Sequence, residues 1–320
     1  MTGIIDLYKE KGMTSHTCVA RVRRILGIKK AGHPGTLDPE ATGVLPIMVG
    51  GATRCSDLFL DMKKSYRATA TFGLVSDTQD IWGSVENTGA DLSGVTGEAV
   101  KEALKEFHGT VMQAPPAYSA LKKDGVPYYK LARRGEAVET EARPVNIYSC
   151  SLVSFTVNEE GLPAAEIEVC CGRGTYIRTI INDLGVRLGC GAVMSKLERT
   201  AYGDFLAGDA VTLSDVEKAA REGRLRDVVR PLKNIFGFPT LELFPGEYTA
   251  YMQGKILSAD KARVCFPENG PAEDDARIYV NEGETRIMLL TYGQEFALAR
   301  ATLRDENSYE LRADRYFGNT

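Results

Sequence analysis

The sequence predicts an α+β protein. A mixed, mostly antiparallel sheet with flanking helices occupies residues 1–238, and a small all-β barrel occupies residues 246–320. Three observations predict this. Strand-like and helix-like segments interleave irregularly and no βαβ unit repeats, which argues against a doubly wound sheet. The texture changes at residues 231–246, where Pro231, Pro239 and Pro245 gather with glycines as a linker. Beyond it, short β-like runs recur between Gly, Asn and Asp residues, as in a small barrel.

Each element has a local reason. Residues 3–8 form a short apolar-rich run ending in Lys9-Glu10-Lys11-Gly12. Thr14 or Ser15 caps a helix that stops near Gly27, with Val19, Val22 and Leu26 as its buried stripe and Arg21 and Arg24 turned away. Residues 32–46 contain Gly32, Pro34, Gly35, Pro39, Gly43 and Pro46, a density that predicts an irregular loop of specific shape. Ile47–Val49 reads as a buried strand, and residues 54–60 as a short helix. In Tyr66–Phe72 the residues Tyr66, Ala68, Ala70 and Phe72 face one way and Arg67, Thr69 and Thr71 the other. Residues 77–83 form a polar turn around Trp82, the one tryptophan. Thr96 caps a helix through Phe107. Residues 113–122 are Pro-rich and extended, leading to a short helix that ends at 132–135. Residues 144–156 and 164–171 alternate as strands. The Gly172–Thr175 turn opens a helix carrying Ile177, Ile180, Ile181, Leu184 and Leu188, closed by Gly189. Ser214-Asp-Val-Glu217 reads as a capping box. The barrel strands fall at 262–266, 276–281, 285–291, 296–303 and 309–316.

Composition narrows the function. Apolar content of 43% and charged content of 26% are those of a soluble globular protein. No apolar run reaches the ~20 residues of a membrane span, and the N-terminus lacks a signal-peptide pattern, so the expected location is cytoplasmic. The seven cysteines are scattered without a C-x-x-C pair and read as reduced thiols. With no Cys/His cluster, no metal site is expected. A net charge of −4 does not suit a protein that coats nucleic acid. Arg21, Arg23, Arg24, Lys29 and Lys30 nevertheless crowd together without an acid among them. They form either a solvated helix face or a phosphate-binding patch. Nothing reads as a coiled coil, and a monomer is expected.

The candidate chemistry centres on Asp38. Its loop is either a rigid turn with Asp38 as an Asx former or a device that holds one carboxylate for reaction. A nucleophilic Asp38 in a water-poor pocket needs a cation to remain ionised. Arg178 lies in the first turn of its helix, opposite the Ile180/Leu184 stripe. It is either a surface charge or that partner.

GHPGTLDPEATGVLPIMVGGATR (32–54) closely resembles the catalytic motif of the tRNA pseudouridine synthase B (TruB) family. KGMTSHTCVARVRR (11–24), KSYRATATFGLVSDTQDIWG (64–83), QAPPAYSALKKDGVPYYKLARRG (113–135) and CGRGTYIRTIINDLGVRLGCGA (171–192) match further family blocks in order. The resemblance spans roughly residues 3–205, and by position and strand pattern the C-terminal part resembles a PUA-like RNA-binding module. It implies isomerisation of the uridine at position 55 in the T arm of tRNA, with no cofactor and no protein partner. It implies Asp38 as nucleophile, Tyr66 against the target base and Arg178 paired with the aspartate. The same resemblance implies that Leu197 packs near the base, Tyr176 lies beside the arginine, His33 contacts the RNA around the flipped base, and Lys9 supports the site. The basic residues Arg21, Arg24, Lys29 and Lys30 would then meet phosphates. Two positions depart from the family pattern, Glu10 where Pro is usual and Glu198 where a basic residue is common. Two other readings stand beside this one. The first is a silent tRNA-binding or folding factor on the same scaffold. The second is a glycosidase using Asp38 with Asp77 or Asp80 as the second carboxylate.

Overall fold

The computed structural model describes residues 1–119, 121–123, 125–128, 131, 134, 140–232, 235–266, 285–293, 295–305 and 307–319. The short helix expected to end at 132–135 and the strand expected at 276–281 lie largely or wholly outside the described residues.

A ten-stranded sheet forms the larger part of the molecule. In chain order its strands are β1 (Gly3–Lys9), β2 (Ala31–Gly32), β3 (Thr42–Val49), β4 (Lys64–Phe72), then, beyond a small hairpin of β5 (Leu74–Ser76) and β6 (Val85–Asn87), β7 (Gly109–Gln113). After a second hairpin of β8 (Lys122–Lys123) and β9 (Val126–Pro127) come β10 (Arg143–Val157), β11 (Pro163–Cys171), β12 (Ala192–Tyr202), β13 (Phe205–Leu206) and β14 (Arg230–Pro231). The spatial order is β14-β1-β3-β12-β4-β11-β10-β7, with β2 on β3 and β13 on β12. Every pairing in it is antiparallel except β3 with β12. That parallel seam needs Gly43. It has φ 103°, and a Cβ there would lie 2.2 Å from the Arg199 carbonyl oxygen.

The helices follow their expected signals. α1 (Ser15–Leu26) is capped by Thr14 and closed by Gly27 at φ 63°. A 3₁₀ turn at Gly50–Cys55 runs into α2 (Ser56–Leu60), and Thr96 caps α3 (Gly97–Leu104). α4 (Ile177–Arg187) follows the Gly172–Thr175 turn. α5 (Leu213–Arg221) starts two residues before the expected box, because Thr212 and Asp215 bond reciprocally and Leu213 is buried.

α3 stops at Leu104, short of the expected Phe107, and two strand boundaries also differ from the sequence reading. β3 begins at Thr42, inside the segment read as loop. Pro46 is tolerated there because β12 pairs at Thr42–Gly43 and β2 at Met48–Val49, leaving Pro46 between the two ladders. Near residue 262 the chain makes a 3₁₀ turn (Lys261–Arg263) in place of a strand, because the Asp260 carboxylate accepts the Ala262 amide at 2.9 Å. The strand there is one step earlier, β16 (Leu257–Asp260).

Strand alternation divides the core. Ile5, Leu7, Leu45, Ile47 and Val49 join an apolar layer with residues of α1, α3, α4 and α5. Ile4, Val44 and Met48 face the other way, toward Phe59, Phe205, Phe238, Phe296 and Phe317. The last two belong to a C-terminal five-stranded curled sheet, ordered β15 (Thr240–Glu242), β17 (Thr285–Tyr292), β18 (Glu295–Asp305), β19 (Ser308–Asn319), β16. Among the described residues it carries one α-helix, α6 (Pro245–Met252), with Pro in its first turn and Glu247 accepting the Phe244 amide at 2.8 Å. Leu232, Ile235 and Phe238, in the stretch read as linker, are all buried.

Candidate active site

The loop between β2 and β3 meets the first turn of α4 at the middle of the large sheet. Between them lies an open cleft of about 280 Å³ whose lining includes Asp38, Tyr66, Tyr176, Arg178, Leu197 and Arg199. Asp38 is the one carboxylate among the described residues lining it. Its Oδ2 stands 3.4 Å from Arg178 Nε. Residues drawn from four separate stretches of chain thus converge on one acid.

Arg178 is buried rather than presented to solvent. Nη1 donates to the Thr78 carbonyl at 3.1 Å and to Asp80 Oδ2 at 3.3 Å, and Nη2 donates to the Tyr118 carbonyl at 3.1 Å. Asp80 is itself fixed: its Oδ1 accepts from Thr78 Oγ1 at 2.7 Å and from the Trp82 amide at 3.1 Å. The polar turn that carries Asp80 is held to the sheet, since the Met194 amide donates to the Gln79 carbonyl at 3.1 Å and Thr179 Oγ1 to Gln79 Oε1 at 2.8 Å. One guanidinium therefore spans a buried carboxylate, Asp80, and a half-exposed one, Asp38, whose side chain is 43% accessible. The pairing leaves Asp38 oriented yet reachable. Gln113 fixes the start of the helix, accepting the Tyr176 amide at 2.8 Å and donating to the Tyr176 carbonyl at 3.1 Å.

The Asp38 loop is held by two buried cations. Lys9 Nζ donates to the Pro39 carbonyl at 2.9 Å and to the Glu10 carbonyl at 3.0 Å. Burial pushes its ammonium pKa down, with Asp38 acting in the opposite sense. Arg199 is 1% exposed. Its Nε donates to the Val44 carbonyl at 2.7 Å and its Nη2 to the Gly35 carbonyl at 3.2 Å, one on each side of Asp38. Arg199 is also the cross-strand partner of Tyr66, and its charge acts on the phenol. Burial raises the phenol pKa and the Arg199 charge opposes that. Tyr202 completes this end, lying 5.0 Å from Arg199 and 4.7 Å from Lys64, whose pKa burial pushes down to about 8.

Of the residues singled out in the sequence, Asp38, Tyr66, Tyr176, Arg178 and Leu197 share the cleft. Lys9 sits behind its wall. His33 is partly buried near Arg199, with Nδ1 buried and unpartnered among the described residues, and burial lowers its pKa. Arg21 pairs with Glu217 of α5 at 3.2 Å, and Arg24, Lys29 and Lys30 are exposed. None of these four lines the cleft. Glu198 accepts the Tyr8 hydroxyl at 2.8 Å, and Glu10 is exposed. The sequence reading missed Asp80 as a partner of Arg178, and it missed Gln113, Lys64 and Arg199. A signal existed for the last two: Lys64 is two residues before Tyr66 and Arg199 two after Leu197, which in a strand sets each on its neighbour's face.

The chain matches two family profiles, described as TruB family pseudouridylate synthase (N terminal domain) over residues 23–177 and tRNA pseudouridylate synthase B C-terminal domain over residues 178–236. It is 44% identical to a tRNA pseudouridine synthase B of Geobacter sulfurreducens, covering 99% of this chain and 100% of the relative. It is 36% identical to one of Clostridium perfringens, covering 97% and 98%. Among solved structures, a chain of a Cbf5-Nop10-Gar1 complex superposes with TM-score 0.71 at 24% identity, over 99% of this chain and 85% of that one. That likeness bears on the fold. The two profiles and the relatives matched over nearly their whole length agree: the chain belongs to the TruB family of pseudouridylate synthases.

Proposed function

We propose that this protein converts the uridine at position 55 in the T arm of tRNA to pseudouridine, with Asp38 as the nucleophile. One observation carries the mechanism: among the described residues Asp38 is the one carboxylate lining the cleft, and it is paired to an arginine that is anchored from behind. The target base leaves its stack to enter the cleft, at a cost of a few kcal/mol. Tyr66 and Leu197 offer aromatic and apolar surface in return. The N1–C1′ bond breaks, the uracil turns, and C5 bonds to C1′. C5 gives up its proton and N1 gains one, so substrate and product are isomers. A carboxylate beside C1′ is the tool glycosidases use. Here Asp80 is spent on Arg178, Thr78 and the Trp82 amide, and Asp77 accepts the Ser84 amide at 2.8 Å and the Tyr118 hydroxyl at 3.3 Å. Among the described residues no second carboxylate lines the cleft to act as a general acid, which favours isomerisation over hydrolysis.

The test is incubation of the purified protein with an unmodified tRNA transcript, followed by mapping of pseudouridine. Product is expected at the T-arm uridine. Asp38→Asn should lower the single-turnover rate by at least about 1,000-fold while keeping tRNA affinity within about tenfold. Turnover by that variant at a tenth of the normal rate would remove Asp38 as nucleophile. Bound but unmodified tRNA with the unaltered protein would favour a silent binding factor.

A further inference from the structure

The 172–176 turn, one wall of the cleft, is flanked by cations that the sequence does not place together. Arg173 lies on the turn and is exposed. At one end, a Cβ on Gly172 would sit 3.4 Å from the Tyr148 hydroxyl, and Lys63 Nζ lies 4.6 Å from the Tyr148 ring centroid. At the other, a Cβ on Gly174 would sit 3.8 Å from Arg143 Nη2, and the Arg143 guanidinium lies 5.9 Å from the Tyr176 ring. Lys63, Tyr148, Arg173, Arg143 and Tyr176 thus lie along this turn, and of them Arg173 and Tyr176 line the cleft itself. None of the three cations is in an ion pair among the described residues. Asp61 is the acid near this end, and its charge acts on Lys64. Tyr148 is 41% exposed although it is a large aromatic side chain on a strand. By contrast, the basic cluster of α1 and the residues after it does not line the cleft, and Arg21 there is already paired.

We propose that this group of side chains binds the ribose-phosphate backbone of the RNA strand next to the extruded nucleotide, with the Tyr148 ring as a stacking plate for one base. Unpaired cations beside exposed aromatic rings are the arrangement that holds single-stranded nucleic acid. Arg173 and Lys63 meet phosphates, and Tyr148 meets a ring. The assignment rests on the reading of the protein as an RNA-modifying enzyme.

The two parts leave different signatures. With a fluorescent T-arm stem-loop, affinity is measured across a series of salt concentrations for the unaltered protein, Lys63→Gln, Arg173→Gln and Tyr148→Ala. Each charge variant should weaken binding about three- to tenfold at low salt. Each should also flatten the plot of log affinity against log salt by about 0.7–0.9. Tyr148→Ala should weaken binding about tenfold with the slope unchanged. Unchanged affinity, or weaker binding without a change of slope in both charge variants, overturns the phosphate assignment. An unchanged affinity for Tyr148→Ala overturns the stacking assignment. Isomerisation of the same stem-loop by the unaltered protein is assayed in parallel, so a failure of the enzymatic reading shows there and not in the binding slopes.

Discussion

Arg178 and Arg199 are both buried cations on the Asp38 site, and they act on it in different ways. Arg178 touches the carboxylate, and its own orientation depends on Asp80. Both side chains of the Arg178–Asp80 pair are about one-tenth accessible, so removing one partner strands the other. Asp80→Ala should cost about 3 kcal/mol in urea denaturation and slow single turnover by about tenfold or more, because Arg178 loses the contact that aims it. A normal rate in a destabilised protein would make Asp80 purely structural. Arg199 does not reach Asp38. It clasps the loop on both sides and faces Tyr66 across the strand pair. Arg199→Lys keeps the charge and loses the fork. It should slow single turnover by about 100-fold with tRNA affinity within about threefold, and the same substitution in a Tyr66→Phe background should cost much less. Full additivity of the two losses would show that Arg199 does not act through Tyr66. Asp38 was legible in the sequence as a candidate, from the Gly and Pro that shape its loop and from the family motif around it. Asp80 and Arg199 were not, because their partners lie 98 and 155 residues away, and no local pattern records a contact of that range.

At the scale of elements, most boundaries were written in caps and alternation: Thr14 and Gly27 bracket α1, Thr96 opens α3, and β4 alternates as read. The exceptions are places where tertiary pairing decides. Pro46 sits within β3 only because no second ladder reaches it. β1 shows a related effect with a measurable consequence. Asp6 pairs there with Pro46, is 6% exposed, and has no hydrogen-bond partner on either carboxylate oxygen among the described residues. Burial raises its pKa from 3.8 to about 7, aided by Asp209 and opposed by Arg230. The folded state therefore holds this proton where the unfolded chain has released it. The associated stability is full below about pH 4 and is lost as pH rises toward 7. Asp6→Asn carries no such dependence. In thermal melts at about pH 5 and pH 8, the wild-type protein should lose stability relative to the variant by about 1–3 kcal/mol on going to the higher pH. A constant difference at the two values would show that Asp6 titrates normally in the fold.

At the scale of the molecule, the sequence reading divided the chain at a Pro-rich linker, whereas the side chains cross that line. Leu232, Ile235 and Phe238 recur at three-residue spacing, an apolar pattern that the prolines around them obscured, and all three are buried. They join Ile4, Met48 and Phe59 from the large sheet side to Ile287, Leu289, Phe296 and Phe317 from the curled sheet in one cluster. Polar contacts edge it: Arg315 makes two 2.7 Å bonds to the Asp57 carboxylate and one to the Arg54 carbonyl, and Arg54 donates to the Tyr316 carbonyl at 2.6 Å. Asp57 is largely exposed, so this pair adds little by itself, and the apolar cluster supplies the coupling. An apolar seam of this kind makes each part depend on the other for burial. Calorimetry of the full chain should therefore show one transition whose calorimetric and van't Hoff enthalpies agree. A chain ending at residue 245 should lose the large sheet's cooperative melt or aggregate, because it uncovers the Phe59 face. Two resolved transitions, or a truncated chain that melts like the whole, would establish instead that the two parts fold independently across a covered but dispensable seam.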